Sequence, residues 1–263
     1  MTRANVNPEQ LMNDARFQLD WQMNRCERLA IIWILEKIRP NLSLEVGTYK
    51  GGSLQVLAEY SRKVISIDSD PEIPSRLARF GNVEFLTGNS VEVLPRLIAS
   101  LNESGETPEF ILIDADHSTE GIKRDIRALL SLKPRRDIAI LLHDSFNPDC
   151  RRGMTESNWK SSPYVHFVEI DFVPGSFNAR SYDTAAAGSM WSGLAFALMK
   201  PEPRTSGLIV QESQKELYEA VKAISIHKAD RGPSDPPVVC RIYRRSRIFA
   251  GRVKRRLLGQ PIA

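Results

Sequence analysis

The chain has 263 residues, 42% hydrophobic and 26% charged, which suits one large α/β domain with appendages or two small domains. No apolar run approaches the roughly 20 residues that cross a bilayer, and the first 20 residues, with Asn, Glu, Asp and Gln throughout, lack the pattern of a secretory signal. The three cysteines (Cys26, Cys150, Cys240) are odd in number and have no metal-ligand spacing, so a reduced, cytoplasmic setting is expected.

A helix is expected over 24–39, where Leu29, Ile32, Trp33, Leu35 and Ile38 recur before Pro40 stops it. A first strand over 43–46 ends at Glu45-Val46. The glycine-rich turn Gly47-Thr48-Tyr49-Lys50-Gly51-Gly52-Ser53 follows, and Ser53 leads a helix carrying Leu54, Leu57 and Ala58. A second strand over 64–67 ends at Asp68. Asp70-Pro71 reads as a cap and first-turn proline of a short helix. A third strand over 83–86 leads to Gly88-Asn89-Ser90, with Ser90 capping a helix that carries Val91, Leu94, Leu97, Ile98 and Leu101.

A fourth apolar run, 110–113, ends at Asp114. The helix after it shows Ile122, Ile126, Leu129 and Leu130 on one stripe. A fifth run, 138–142, ends at His143-Asp144. Strand-like runs at 165–172 and 194–199 and a helical stretch over 214–229 complete the pattern. Near-continuous apolar strands alternating with helices predict a Rossmann-like α/β fold, with a seven-stranded, mostly parallel sheet and helices on both faces. The expected organisation is an N-terminal helical segment (1–40), a central domain (41–200) with a pocket-forming insert at about 145–190, and a C-terminal helical, basic segment (201–263).

Ligands of open α/β sheets bind at the carboxyl ends of the strands. Glu45, Asp68, Asn89, Asp114 and Asp144 all fall there. The glycines allow close backbone approach. Asp68, 21 residues beyond Gly47, suits the two hydroxyls of a ribose. A G-x-G-x-x-G turn is missing. Glu45 just before the turn would repel a pyrophosphate and suit a cationic ligand, so a nicotinamide-dependent oxidoreductase is disfavoured.

The turn resembles motif I of the class I S-adenosylmethionine-dependent methyltransferases, and the resemblance covers residues 27–145. It implies that Glu45 and the turn from Gly47 through Thr48, Tyr49 and Gly51 to Ser53 hold the methionine end of that cofactor. Asp68 would bind the ribose, and Asn89 and Ser90 would flank the adenine. Many relatives have an acid where this chain has Asn89. The segment Asp114-Ala115-Asp116-His117-Ser118 resembles the D-x-D-H-S segment of a metal-dependent branch that includes the sugar O-methyltransferases of macrolide biosynthesis. That likeness implies that Asp114 is a cofactor-side metal ligand and His117 the general base, and that one later strand runs antiparallel. Asp144 matches the second metal carboxylate. His143 stands where the macrolide type has Glu, and Ser145 where catechol-type enzymes have Asn.

Asp114, Asp144 and His143 are therefore the candidate ligands of a divalent metal, Mg²⁺ or Mn²⁺, with His143 tilting the set toward metals that accept imidazole. The same residues admit a metal-free reading in which Asp144 orients a hydroxyl or a histidine. The expected acceptor is a sugar hydroxyl on a glycan or glycosylated metabolite. The alternatives are a catechol or small phenol, or a non-catalytic cofactor-binding scaffold in glycan assembly. Arg151, Arg152, Trp159, Tyr164, His166, Asn178, Arg180 and Tyr182 are candidates to contact a polar acceptor.

Residues 236–263 hold no acid, while Arg241, Arg244, Arg245, Arg247, Arg252, Lys254, Arg255 and Arg256 crowd among Ile242, Phe249, Val253 and Leu257. Such a tail suits an anionic membrane face or an acidic partner. Nucleic acid is disfavoured, because only Tyr243 and Phe249 offer stacking surfaces. A homo-oligomer is compatible with the sequence.

Overall fold

The computed structural model describes residues 17–178 and 187–227. Arg180, Tyr182 and the basic tail lie outside the described residues. The chain divides by its contacts into two units, Met1–Ser176 with Trp191–Tyr218, and Phe177–Met190 with Glu219–Ala263. Within the second, the Ile226 N–H donates to the Gly188 carbonyl at 2.9 Å.

In chain order the elements are α1 (Arg25–Ile38), β1 (Leu42–Val46), α2 (Leu54–Tyr60), β2 (Lys63–Asp68), α3 (Ile73–Arg76), β3 (Val83–Thr87), α4 (Ser90–Ser104), β4 (Phe110–Ile113), α5 (Thr119–Leu129) and β5 (Ile138–His143). There follow α6 (Pro148–Glu156), β6 (Val165–Val173), β7 (Ser176–Phe177), β8 (Met190–Trp191), β9 (Leu194–Met199), β10 (Ile209–Gln211) and α7 (Lys215–Ile224). The main sheet has eight strands in the order β10-β6-β9-β5-β4-β1-β2-β3, and β7 pairs with β8 separately. β1 to β5 are parallel, and β9 runs antiparallel between β5 and β6. Seven strands are expected from the sequence. The eighth, β10, pairs parallel to β6 but is exposed throughout, so it carries no alternating burial signal.

The strand period of two divides the core between the faces. Leu42, Leu44 and Val46 of β1 and Ile138, Ile140 and Leu142 of β5 join one cluster, with Leu94 and Ile98 of α4, Ile122 and Ile126 of α5, and Met154 of α6. Phe110 and Leu112 of β4 and Ala139 and Leu141 of β5 join the other, with Ile31, Ile32 and Leu35 of α1, Leu54 and Leu57 of α2, and Ile73 of α3. Each fully buried Leu or Ile contributes roughly 1.5–3 kcal/mol. By the same parity, Ser43, Glu45 and His143 face the α1–α2 side.

Local chemistry moves several boundaries. Asn89, not Ser90, caps α4: its side chain accepts from Val91 N–H, and Ser90 is the first helical residue. α3 begins two residues after Pro71. Asp70 instead stabilises the approach by accepting from Glu72 N–H at 3.0 Å and pairing with Arg76 at 2.7 Å. α6 lies inside the pocket-forming insert expected at about 145–190, where the sequence pattern names no helix. Its start is set by Asn147, which caps Asp149 and Cys150, and by Pro148 in the first turn.

Candidate functional site

β1 and β4 are neighbours, yet the chain runs outward from β1 through β2 to β3 before returning to β4. The order therefore reverses between them, which is where open sheets bind ligands. Gly47 occupies this crevice at φ +96°, and a Cβ added there would lie 2.1 Å from the Asp114 carbonyl oxygen. A side chain is excluded by the backbone opposite as well as by the torsion. Asp114 N–H closes the crevice floor by donating to the Val46 carbonyl at 2.7 Å.

The turn after β1 rests on two acids. Asp68, at the end of β2, accepts from the Thr48 and Tyr49 N–H groups at 3.0 and 2.8 Å, and its other oxygen accepts from Asp70 N–H. A carboxylate has about four acceptor positions, so Asp68 keeps one for a further donor. Glu45 is fully buried. Ser53 Oγ donates to one of its oxygens at 2.6 Å and Ser66 Oγ to the other at 2.7 Å, while the Thr48 hydroxyl lies 2.5 Å from Ser66 Oγ. Desolvation outweighs both serine bonds and pushes the Glu45 carboxyl up to about 7. Gly51 lies against Leu19 and Leu77, Tyr49 is half-exposed on the rim, and Asn89 is exposed with its oxygen committed to the α4 cap.

Asp114, His117, His143 and Asp144 meet at the ends of β4 and β5, and one donor atom from each lies within 4.8 Å of the others. His143 Nδ1 is 2.9 Å from Asp114 Oδ1 and 3.6 Å from Asp144 Oδ2. His117 Nε2 is 3.4 Å from Asp114 Oδ1 and 3.2 Å from Asp144 Oδ2, and its ring meets Trp191 edge to face. Asp144 departs from β5 at φ +60°, and Ser192 N–H donates to its Oδ1 at 2.6 Å. Strained backbone of this kind gathers at functional sites.

Residues 44–145 match a family model described as a methyltransferase domain. The match spans β1 to β5 and ends one residue after Asp144. No curated protein matches the chain. Among solved structures, the chain is similar to an O-methyltransferase from Bacillus cereus in complex with SAH, at 17% identity over 73% of this chain and 89% of that one, with a TM-score of 0.50. It is also similar to cofactor-bound Rv0187 from MTB, at 18% identity over 76% and 93% of the two chains and a TM-score of 0.46. A third is the O-methyltransferase TomG from Streptomyces achromogenes, at 14% identity over 74% and 86% and a TM-score of 0.49. At such identities the Bacillus likeness speaks for the fold: a Rossmann-like methyltransferase sheet.

The electrostatics of the matched domain centre on the two acids and two imidazoles. Burial alone would raise Asp114, but the imidazoles of His143 and His117 overcome it and hold that carboxyl well below the usual range. Burial would lower His143, yet Asp114, Asp144 and Glu27 raise it well above its ordinary value. His117 is raised for the same reason, with Asp114 and Asp144 outweighing burial. Two carboxylates at this spacing require positive charge between them, supplied by protonated histidine or by a cation. Carboxylate oxygens together with imidazole nitrogen suit a transition metal such as Mn²⁺ better than Mg²⁺, which prefers oxygen ligands and water.

Several expected acceptor contacts take structural roles. Arg151 is buried in an ion pair with Asp171 at 2.6 Å and a second with Glu212 at 2.9 Å, and it stacks on Tyr218. Trp159 is buried and donates Nε1–H to the Met154 carbonyl, and His166 Nε2 meets the Glu202 carbonyl. Asp116 accepts from Ser118 N–H just ahead of α5, whose cap is Ser118. One residue at the site escapes the sequence reading. Glu27 of α1 is completely buried, with Oε1 3.2 Å from His143 Nε2. The usable signal was its spacing: Glu27, Ile31 and Leu35 form one i, i+4, i+8 stripe, so an acid stands on the buried face.

Proposed function

We propose that the chain is an S-adenosylmethionine-dependent O-methyltransferase in which Asp114, His143 and Asp144 hold a divalent cation and His117 acts as general base on a sugar hydroxyl. The observation that carries this reading is the four-residue cluster at the ends of β4 and β5, beside the Gly47 crevice at the reversal of strand order. When bound, the cofactor presents a methyl group on a sulfonium, and the cation makes a nearby hydroxyl more acidic.

The remaining work belongs to the protein. The turn from Gly47 to Ser53 brings backbone amides close to the ligand, and Asp68 offers its free acceptor position to a ribose hydroxyl. Asn89 and Ser90 border the adenine side, and Glu45 braces the turn from beneath. His117 is the most exposed of the four clustered residues, so it is the one an incoming hydroxyl reaches. An imidazole that accepts that proton converts a poor nucleophile into one competent for in-line displacement. The D-x-D-H-S segment favours a sugar over a catechol, because it supplies a histidine three residues after the metal carboxylate.

His117→Ala separates the alternatives. SAH affinity measured by calorimetry is expected to stay within about threefold of wild type, while turnover on a sugar acceptor falls by about 10²–10⁴, the usual contribution of a general base. Turnover confined to catechols in an acceptor panel would replace the sugar reading. Absence of turnover by wild type on every acceptor, with SAH bound, would favour the scaffold.

A further inference from the structure

Glu27 has three partners from three parts of the chain. Its Oε2 accepts from Asn24 N–H at 2.5 Å, completing a reciprocal capping box at the start of α1. Its Oε1 accepts from Gly193 N–H in the turn between β8 and β9, and the same oxygen stands 3.2 Å from His143 Nε2. The ring nitrogen makes no aligned hydrogen bond in this geometry, so the carboxylate oxygen faces Nε2 at close range but off the ideal angle. Among the described residues, Glu27 is the only acid at that nitrogen.

Capping explains one of the oxygens. It does not explain why the acid is fully buried or why it reaches a histidine at the mouth of β5. An imidazole can offer a lone pair at Nδ1 only if Nε2 carries the proton. His143 Nδ1 faces Asp114 and Asp144. A carboxylate behind the opposite nitrogen selects that tautomer, fixes the ring plane and raises its basicity. Strand parity makes the arrangement possible, since His143 shares a face of β5 with Ala139 and Leu141, against which α1 packs.

We infer that Glu27 is the positioning residue of this site: its carboxylate holds His143 Nε2–H so that Nδ1 faces Asp114 and Asp144 as a ligand for a divalent cation. The inference rests on the cation site proposed above. It also gives the N-terminal helix, which precedes the matched segment, a part in the chemistry.

The test titrates Mn²⁺ alone, and SAH alone, into the full chain by calorimetry. It compares wild type with Glu27→Gln and with Asn24→Ala, which breaks the capping box without touching His143. Glu27→Gln is expected to weaken Mn²⁺ binding 10- to 100-fold and to leave SAH affinity unchanged. Asn24→Ala is expected to lower the melting temperature and leave Mn²⁺ affinity unchanged. Mn²⁺ affinity of Glu27→Gln within twofold of wild type, equal weakening by Asn24→Ala, or no Mn²⁺ binding by wild type would each overturn the inference. Failure of wild type to bind SAH would instead remove the methyltransferase reading and leave the Mn²⁺ comparison intact. Should Glu27→Gln not fold, histidine ¹⁵N correlation spectra of the Zn²⁺-loaded wild type decide: a proton on Nε2 of His143 supports the inference, and one on Nδ1 overturns it.

Discussion

Glu45 sits under the glycine turn with no access to water and both oxygens engaged by serine hydroxyls. Its carboxyl holds a proton up to about pH 7, against about 4.5 for an ordinary glutamate. Between those values the folded chain binds more protons than the unfolded one, so this residue makes stability fall as pH rises from about 4.5 to 7 and level off above. One pKa unit corresponds to about 1.4 kcal/mol, so the swing is on the order of 3 kcal/mol. Glu45→Gln removes it. In urea titrations at pH 5, 6 and 8, the variant is expected to gain on wild type as pH rises, and a constant difference would refute the account. The sequence marks Glu45 as an acid at a ligand edge but does not reveal that Ser53 and Ser66 flank it, because that meeting depends on β2 lying beside β1. Glu27 was obscured differently. Asn24 and Glu27 form the N-x-x-E spacing of an ordinary cap, and the cap is real, so the second role leaves no separate mark in the sequence.

At the scale of elements, β1 to β5 are legible to within about a residue, because each is a short, largely apolar run with a polar residue at or just past its end. The elements that escape are those built on polar burial. α6 buries Cys150, Arg151, Gly153 and Met154, a set with no apolar stripe, and it is held through Arg151 to Asp171 on β6 and to Glu212. Both Arg151 and Asp171 are almost without solvent contact. Removing one partner of such a pair strands the other and costs about 3–5 kcal/mol. Arg151→Ala is therefore expected to lower the urea midpoint by that equivalent while leaving SAH affinity nearly unchanged. A large loss of SAH affinity with normal stability would instead make Arg151 a ligand contact. β10 escapes for the opposite reason: Ile209, Val210 and Gln211 are all exposed, so neither face of the strand is marked by burial.

At the scale of the whole molecule, the two clusters of apolar side chains share one sheet, and the site lies along its carboxyl edge. A ligand bound only by the folded chain raises stability by about 2.7 kcal/mol at 100 times its Kd. For a chain of this size that corresponds to a rise of roughly 5–10 °C in Tm. Mn²⁺ and SAH are each expected to produce such a rise, and EDTA to reverse only the first. A Tm indifferent to Mn²⁺ would argue against a resident cation. Fold class was legible from the β1-to-β5 half because alternation of strand and helix is a pattern that spans many residues at once. The cluster at β4 and β5 was legible as a list of residues but not as a shared shell, since its geometry depends on which strands become neighbours. The hydrogen bond from Gly193 to Glu27 joins residues 166 apart in the chain, and this long closure bears on time as much as on space. During synthesis, His143 and both aspartates leave the ribosome well before Gly193 does. A nascent chain can therefore assemble its glycine turn early, yet its histidine gains a complete setting only after the ninth strand begins to emerge.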